Sequence, residues 1–183
     1  MPVSQTGASP PRREFTERVD MNQLRAKAPD ALAEVARAFE PSLYRFALRI
    51  VRQDADAWDV VQQTLAAVVQ KVDRFAGGPA ELRSWVFTIA YRAAIDVVRG
   101  RHRAVPLVDD IAEELAEPVD LETEPADLRR AFATLDPTEQ YLLTLKFQDG
   151  FSNLEIARIV GVSANHVGVL VFRAKQHLRE ALP

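Results

Sequence analysis

The 183-residue chain has no cysteine. That excludes disulfides and thiolate metal sites. Its three histidines are scattered, without the spacing of a zinc site. Glycine is sparse, at seven residues, and the adjacent pair Gly77-Gly78 lacks the spacing and the lysine of a phosphate-cradling loop. No Ser/His/Asp set and no helix-spaced ligand cluster is present, so the expectation is a protein that is not an enzyme, with no cofactor and no metal. No apolar run approaches the roughly 20 residues of a membrane span. The opening Met1-Pro-Val-Ser-Gln lacks the apolar core of a secretory signal. A cytoplasmic protein without a membrane span is expected.

What is present is helix-forming. Hydrophobic residues make up 48% of the chain, enough for real cores, and no segment alternates with a strand period. The net charge of −3 hides an uneven distribution. Residues 1–103 hold 16 basic and 12 acidic residues, residues 104–124 hold eight acids and no base, and residues 125–183 hold seven and six. Two neutral-to-basic parts thus flank an acidic connector.

The stretch from Gly150 to Arg179 predicts two short helices joined by a tight turn. Ser152 and Glu155 form an S-x-x-E capping box. Gly161 can adopt the left-handed conformation that ends a helix, and Ser163 can cap the next. Val167, Leu170, Val171, Ala174 and Leu178 fall on one stripe of the second helix. This is the pattern of a helix-turn-helix, with Arg173, Lys175 and Arg179 placed to reach phosphates. An ordinary helical hairpin is the plain alternative.

The rest reads as all-α. Residues 1–28 suggest a flexible N-terminal tail, with a helix after Glu14 as the alternative. Helices are predicted over 29–39 and 42–52, broken at Glu40-Pro41, then over 56–75 and over 79–99, stopping at Gly100. The third should bury Val60, Val61, Leu65, Val68, Val69 and Val72, and the fourth Leu82, Val86, Ile89, Ala93 and Val97. Trp85, Phe87 and Tyr91 are either core or outward platforms for unpaired bases. Residues 104–124 read as a solvated linker. A short helix follows over 126–134, and Asp136-Pro137 starts another that carries Leu142, Leu143, Leu145 and Phe147 and ends at Gly150.

These residues match a family. Asp56-Ala-Trp-Asp59-Val-Val-Gln62, Leu82-Arg-Ser-Trp85 and Ala94-Ile-Asp96-Val-Val-Arg99 lie in the first part. Leu135-Asp-Pro-Thr-Glu, Gly150-Phe-Ser-Asn-Leu-Glu-Ile-Ala, Gly161-Val-Ser and Arg173-Ala-Lys lie in the second. In this order, across an acidic linker, the chain resembles the extracytoplasmic-function branch of bacterial RNA polymerase sigma factors. The resemblance implies a region 2 domain at 29–103, a linker at 104–124 and a region 4 helix-turn-helix domain at 125–183. The partners it implies are the clamp of core RNA polymerase and promoter DNA, in transcription initiation. Phe75, Gly77, Trp85, Arg92, Arg99, Arg101 and Arg103 would serve the minus-ten side, with a flipped base in the loop around Phe75 to Pro79. Ser163, Asn165, His166, Arg173 and Lys175 would serve the minus-thirty-five side. Asp56, Asp59, Gln62 and Gln63 would dock on the clamp.

The chain departs from the family's pattern at two places. His166-Val-Gly-Val-Leu170 replaces a run that often carries Lys and Arg. Trp58 and Gln63 stand where acids are usual, with Thr64 next to them. Thr64 is therefore a candidate for phosphorylation by a Ser/Thr kinase, which would restore negative charge. An anti-sigma factor is the other control the family suggests. Two further readings stay open: a stand-alone helix-turn-helix regulator, and an interaction module that no longer binds DNA.

Overall fold

The computed structural model describes residues 18–101 and 125–183. The acidic linker, Arg103 and the first 17 residues lie outside the described residues. All elements among the described residues are helical. Two compact units are present, divided between Val97 and Val98.

The first unit begins earlier than the sequence suggested. Asp20 caps a short helix, α1 (Met21–Arg25), by accepting from the Asn22 and Gln23 amides at 2.9 and 3.2 Å. Met21 and Leu24 are buried, so the expected flexible tail at 1–28 is corrected over α1. Helix α2 (Pro29–Val51) runs through Pro41 without a break. A proline inside a helix costs about 3 kcal/mol. Val35, Phe39, Leu43, Phe46, Ala47 and Ile50 are all buried on this one helix, and each large apolar side chain contributes about 1.5–3 kcal/mol. A continuous buried stripe therefore outweighs the missing hydrogen bond, and the predicted break is wrong.

Helix α3 (Asp54–Lys71) passes into a 3-10 turn over Val72–Arg74. Helix α4 (Pro79–Arg101) continues past Gly100, which does not stop it. The core stripes also differ from expectation. Val60, Val61, Val68 and Val72 are buried as predicted, but Leu65 is half-buried and Val69 is exposed. On α4 the core positions are Leu82, Val86, Phe87, Ala90 and Ala94, while Ile89, Ala93 and Val97 are half-buried. The reason is Phe87. Its ring packs edge-on against Phe46, with centroids 5.0 Å apart, and lies 6.3 Å from Phe39. Three aromatics from α2 and α4 then set the rotation of α4.

The second unit contains α5 (Ala126–Ala133), α6 (Pro137–Leu143), α7 (Asn153–Val160) and α8 (Ala164–Glu180). Asp136 and Glu139 form a capping box at the start of α6. A wide π-helical turn over Thr144–Gln148 follows α6. It inserts a register shift, so Leu145 is fully buried while Phe147 is 60% exposed. The core gathers Phe132, Leu142, Phe151, Ile156, Ile159, Val167, Val171 and Ala174.

Candidate nucleic-acid interface

Three surfaces carry the sequence-predicted site residues. The first is the loop between the 3-10 turn and α4. The Phe75 ring stacks on Trp85, with centroids 4.5 Å apart and planes inclined by 24°. Both rings are half-buried, leaving part of each accessible. Glu81, in the first turn of α4, accepts from the Gly78 amide through Oε2 at 3.0 Å. Gly77 has no room for a side chain, because a Cβ there would lie 2.4 Å from Phe75 Cζ. Thus Phe75, Gly77 and Trp85 are brought together. Arg92 and Arg99 are exposed further along α4, at seven-residue spacing from Trp85 and so on the same side of the helix. The side chains of Arg101 and Arg103 lie outside the described residues. Of the three aromatics left open above, Phe87 is core, and Trp85 and Tyr91 are half-buried.

Sequence reasoning missed one member of this loop. Arg25 donates from Nε to the Phe75 carbonyl at 3.0 Å and from Nη2 to the Gly77 carbonyl at 2.6 Å. These partners are 50 and 52 residues away, so no local pattern could have revealed them.

The second surface is the helix pair α7–α8, whose axes are bent by 108°, within the range of helix-turn-helix units. The local grammar holds. Ser152 and Glu155 form the reciprocal capping box, and Gly161 takes φ 81° as the left-handed cap. Ser163 Oγ accepts from the His166 amide at 3.2 Å, so this hydroxyl serves as a helix cap. Asn165, His166, Arg173 and Lys175 are all exposed on α8. Lys175 Nζ lies 5.6 Å from the centre of the Phe147 ring, a cation–π distance.

Two side chains overlooked in the sequence join them. Val169 and Phe172 are 49% and 59% exposed. With Asn153, Asn165, Gly168, Arg173 and Gln176 they line a shallow groove of about 550 Å³. The signal was available, since positions 165, 168, 169, 172, 173 and 176 are the complement of the buried stripe on the same helix. A Cβ on Gly168 would meet Asn153 Nδ2 at 3.5 Å, an ordinary contact.

The third surface is on α3. Asp59, Gln62 and Gln63 are exposed and Asp56 is half-buried. Trp58 packs against Tyr44 of α2, with centroids 4.7 Å apart and planes tilted by 33°. The Tyr44 hydroxyl donates to Asp54 Oδ1. This hydrogen bond, aided by burial and the carboxylate's charge, raises the Tyr44 pKa.

Thr64 does not belong to that surface. It is fully buried, and its hydroxyl donates to the Val60 carbonyl at 2.7 Å. Ala57, Val60, Val61, Thr64 and Val68 follow helical spacing, so position 64 faces the core. The expectation of an accessible phosphorylation site is corrected, because a phosphate there would bury close to two charges without solvent.

Two family models match the chain. The sigma-70 region 2 model matches residues 35–104, and the sigma-70 region 4 model matches residues 126–178. The chain is 30% identical over 170 residues to the RNA polymerase sigma factor CarQ of Myxococcus xanthus, covering 88% of this chain and 95% of CarQ. It belongs to the extracytoplasmic-function sigma factors. The sigma factor SigV of Bacillus subtilis is 28% identical over 136 residues, which is 74% of this chain and 81% of SigV. Among solved structures, the sigma factor RpoE in complex with the anti-sigma factor NepR from Bartonella quintana matches with TM-score 0.55 and 26% identity, over 77% of this chain and 89% of RpoE. CnrH, solved with the cytosolic domain of CnrY, shares the fold at TM-score 0.61 and 23% identity, over 90% and 96% of the two chains. The extracytoplasmic-function sigma factor described here is therefore a transcription initiation factor with DNA-binding and polymerase-binding regions. No single described helix is long and apolar enough to cross a membrane.

Proposed function

We propose that this sigma factor docks on the clamp of core RNA polymerase through the α3 face that carries the half-buried Asp56 and the exposed Asp59, Gln62 and Gln63. It then holds promoter DNA at two places. The loop with Phe75, Gly77 and Trp85 receives an unpaired base of the minus-ten element, and Arg92, Arg99, Arg101 and Arg103 follow the adjacent backbone. Helix α8 enters the major groove at the minus-thirty-five element with Asn165 and His166 toward base edges and Arg173 and Lys175 toward phosphates.

The observation that carries this reading is the Phe75–Trp85 stack in a loop whose backbone is held from both sides, in the same chain as a helix-turn-helix. Extruding a base costs a few kcal/mol, so a prepared stacking surface is needed. On the third surface, the Trp58–Tyr44 pair gives the clamp an aromatic contact where fewer acids are present. The fit of α3 to a basic clamp then depends less on salt than an acidic face would.

The acidic linker at 104–124 occupies a basic nucleic-acid channel of the polymerase. Control by an anti-sigma factor is supported by the RpoE relative, which is solved in complex with one. In vitro transcription with core polymerase and a library of promoter fragments tests the function. Template-directed transcripts that require this chain are expected. Tight sequence-specific binding by the free protein, unchanged by core polymerase, would instead identify a stand-alone regulator.

A further inference from the structure

Helix α1 has no place in the function described so far, yet it is tied closely to the base-binding loop. Its interior side is anchored by Met21 and the fully buried Leu24. Just beyond its end, Lys27 donates to the Gln70 carbonyl at 3.3 Å and pairs with Asp73 at 3.5 Å. These contacts set α1 against the last turn of α3 and the 3-10 turn. Arg25 then reaches the loop itself, with one guanidinium nitrogen on the Phe75 carbonyl and another on the Gly77 carbonyl.

A guanidinium is planar and its donors are fixed in a fork. Binding two carbonyls two residues apart therefore fixes the direction of both peptide groups, not only their positions. Charge-assisted bonds of this kind are roughly twice as strong as neutral ones. With both carbonyls turned to Arg25, the Phe75 side chain is directed to Trp85, and the Gly78 amide is free to meet Glu81. The stacking surface exists before any base arrives, so little loop ordering is left to oppose binding.

We propose that Arg25 is a positioning residue for the unpaired base. From α1 it bridges the Phe75 and Gly77 carbonyls and holds the loop in the shape that accepts that base. This rests on reading the loop as the base-binding site. The N-terminal helix is then part of the promoter-opening apparatus through the loop it holds.

The test uses holoenzyme assembled from core polymerase and the full chain. It is incubated with DNA duplexes that carry a randomised unpaired bubble, and the bound fraction is sequenced. Wild type is expected to enrich one base at one unpaired position, and Phe75→Ala to abolish that preference. Arg25→Ala should weaken the preference about tenfold, the size of a lost charged hydrogen bond, at that position alone, with unchanged affinity for core polymerase. Arg25→Lys should fall between them, since an ammonium is a point donor that cannot span both carbonyls. If Arg25→Ala fails to fold, Arg25→Lys decides by the same readout. Wild-type preference in the Arg25 variants would overturn the proposal. So would a loss spread over all positions together with weaker core binding, which marks a general brace of the fold. Retention of the preference by Phe75→Ala is a separate result, and it would remove the base-binding reading of the loop.

Discussion

The loop after α3 and the turn between α7 and α8 are both short connections that hold side chains proposed to meet nucleic acid, but they are held by different means. The turn is built from its own neighbours. The Gly161 amide with the Ala157 carbonyl and Ser163 with His166 close it, and Ser152 with Glu155 starts the helix that leads into it, each across three or four residues. The loop depends on Arg25, which is 50 and 52 residues away, and on an aromatic pair that joins it to the next helix. The difference fits the two proposed tasks. Reading an intact major groove needs a rigid helix at a set angle, which local caps provide. Holding an extruded base needs a concave surface, and its walls must come from separate elements.

This contrast can be broken most forcefully at Thr64, inside the first unit. Thr64→Glu should cost about 3–5 kcal/mol, as an uncompensated buried charge does, while Thr64→Val should stay within about 1 kcal/mol. In chemical denaturation the Glu variant should lose the transition of the first unit and keep that of the second. A Glu variant that folds normally would show that α3 can turn this position outward, and the corrected phosphorylation reading would return.

The next effect is at the loop. Gly77→Ala places a Cβ 2.4 Å from Phe75 Cζ. Overpacking of this kind costs about 1–3 kcal/mol, which should appear as a roughly tenfold or greater fall in abortive initiation with core polymerase. Gly100→Ala is the matched control. Among the described residues nothing lies within 4 Å of its Cβ, so it should raise stability by about 1 kcal/mol and leave initiation alone. Equal behaviour of the two variants would mean that the Phe75 ring is not fixed.

At the start of α7, Ser152→Ala should cost about 1 kcal/mol, the usual worth of an N-cap, and urea denaturation should place the whole loss in the second unit. A much larger loss would indicate that the helix pair is less self-contained than its local bonds suggest. The smallest effect concerns Tyr44, which donates to Asp54 and ionises above its ordinary value of 10.0. Its folded pKa is raised, so its contribution to stability is present below that ordinary value and is lost as pH rises through the folded one. Asp54→Asn should move the phenolate absorbance midpoint downward. No movement would mean that the hydrogen bond does not hold in solution.

The legibility of each region follows the same division. The capping boxes at Asp136 and Ser152, the Gly161 cap and the buried stripe of α8 were readable because helical periodicity and N-caps are rules of three and four residues. The enclosure of Thr64 and the exposed face with Val169 and Phe172 are also contained in the spacing, since each follows from the helical period of its own helix. The continuity of α2 through Pro41, the rotation of α4 and the π-helical turn that puts Phe147 outside were not readable. Each arises where packing against another helix competes with a local preference and wins.

The sequence by itself determined an all-α chain in two parts, the helix-turn-helix and its caps, and the family to which it belongs. These rest on interactions between near neighbours, whose geometry is set as soon as the residues are known. Only the tertiary structure decided that Phe75 meets Trp85, that Arg25 closes on the Phe75 and Gly77 carbonyls, and that α1 is part of the first unit. Such contacts exist only after separate helices have packed, and the stripes that drive that packing do not encode which distant polar group will arrive at a given carbonyl.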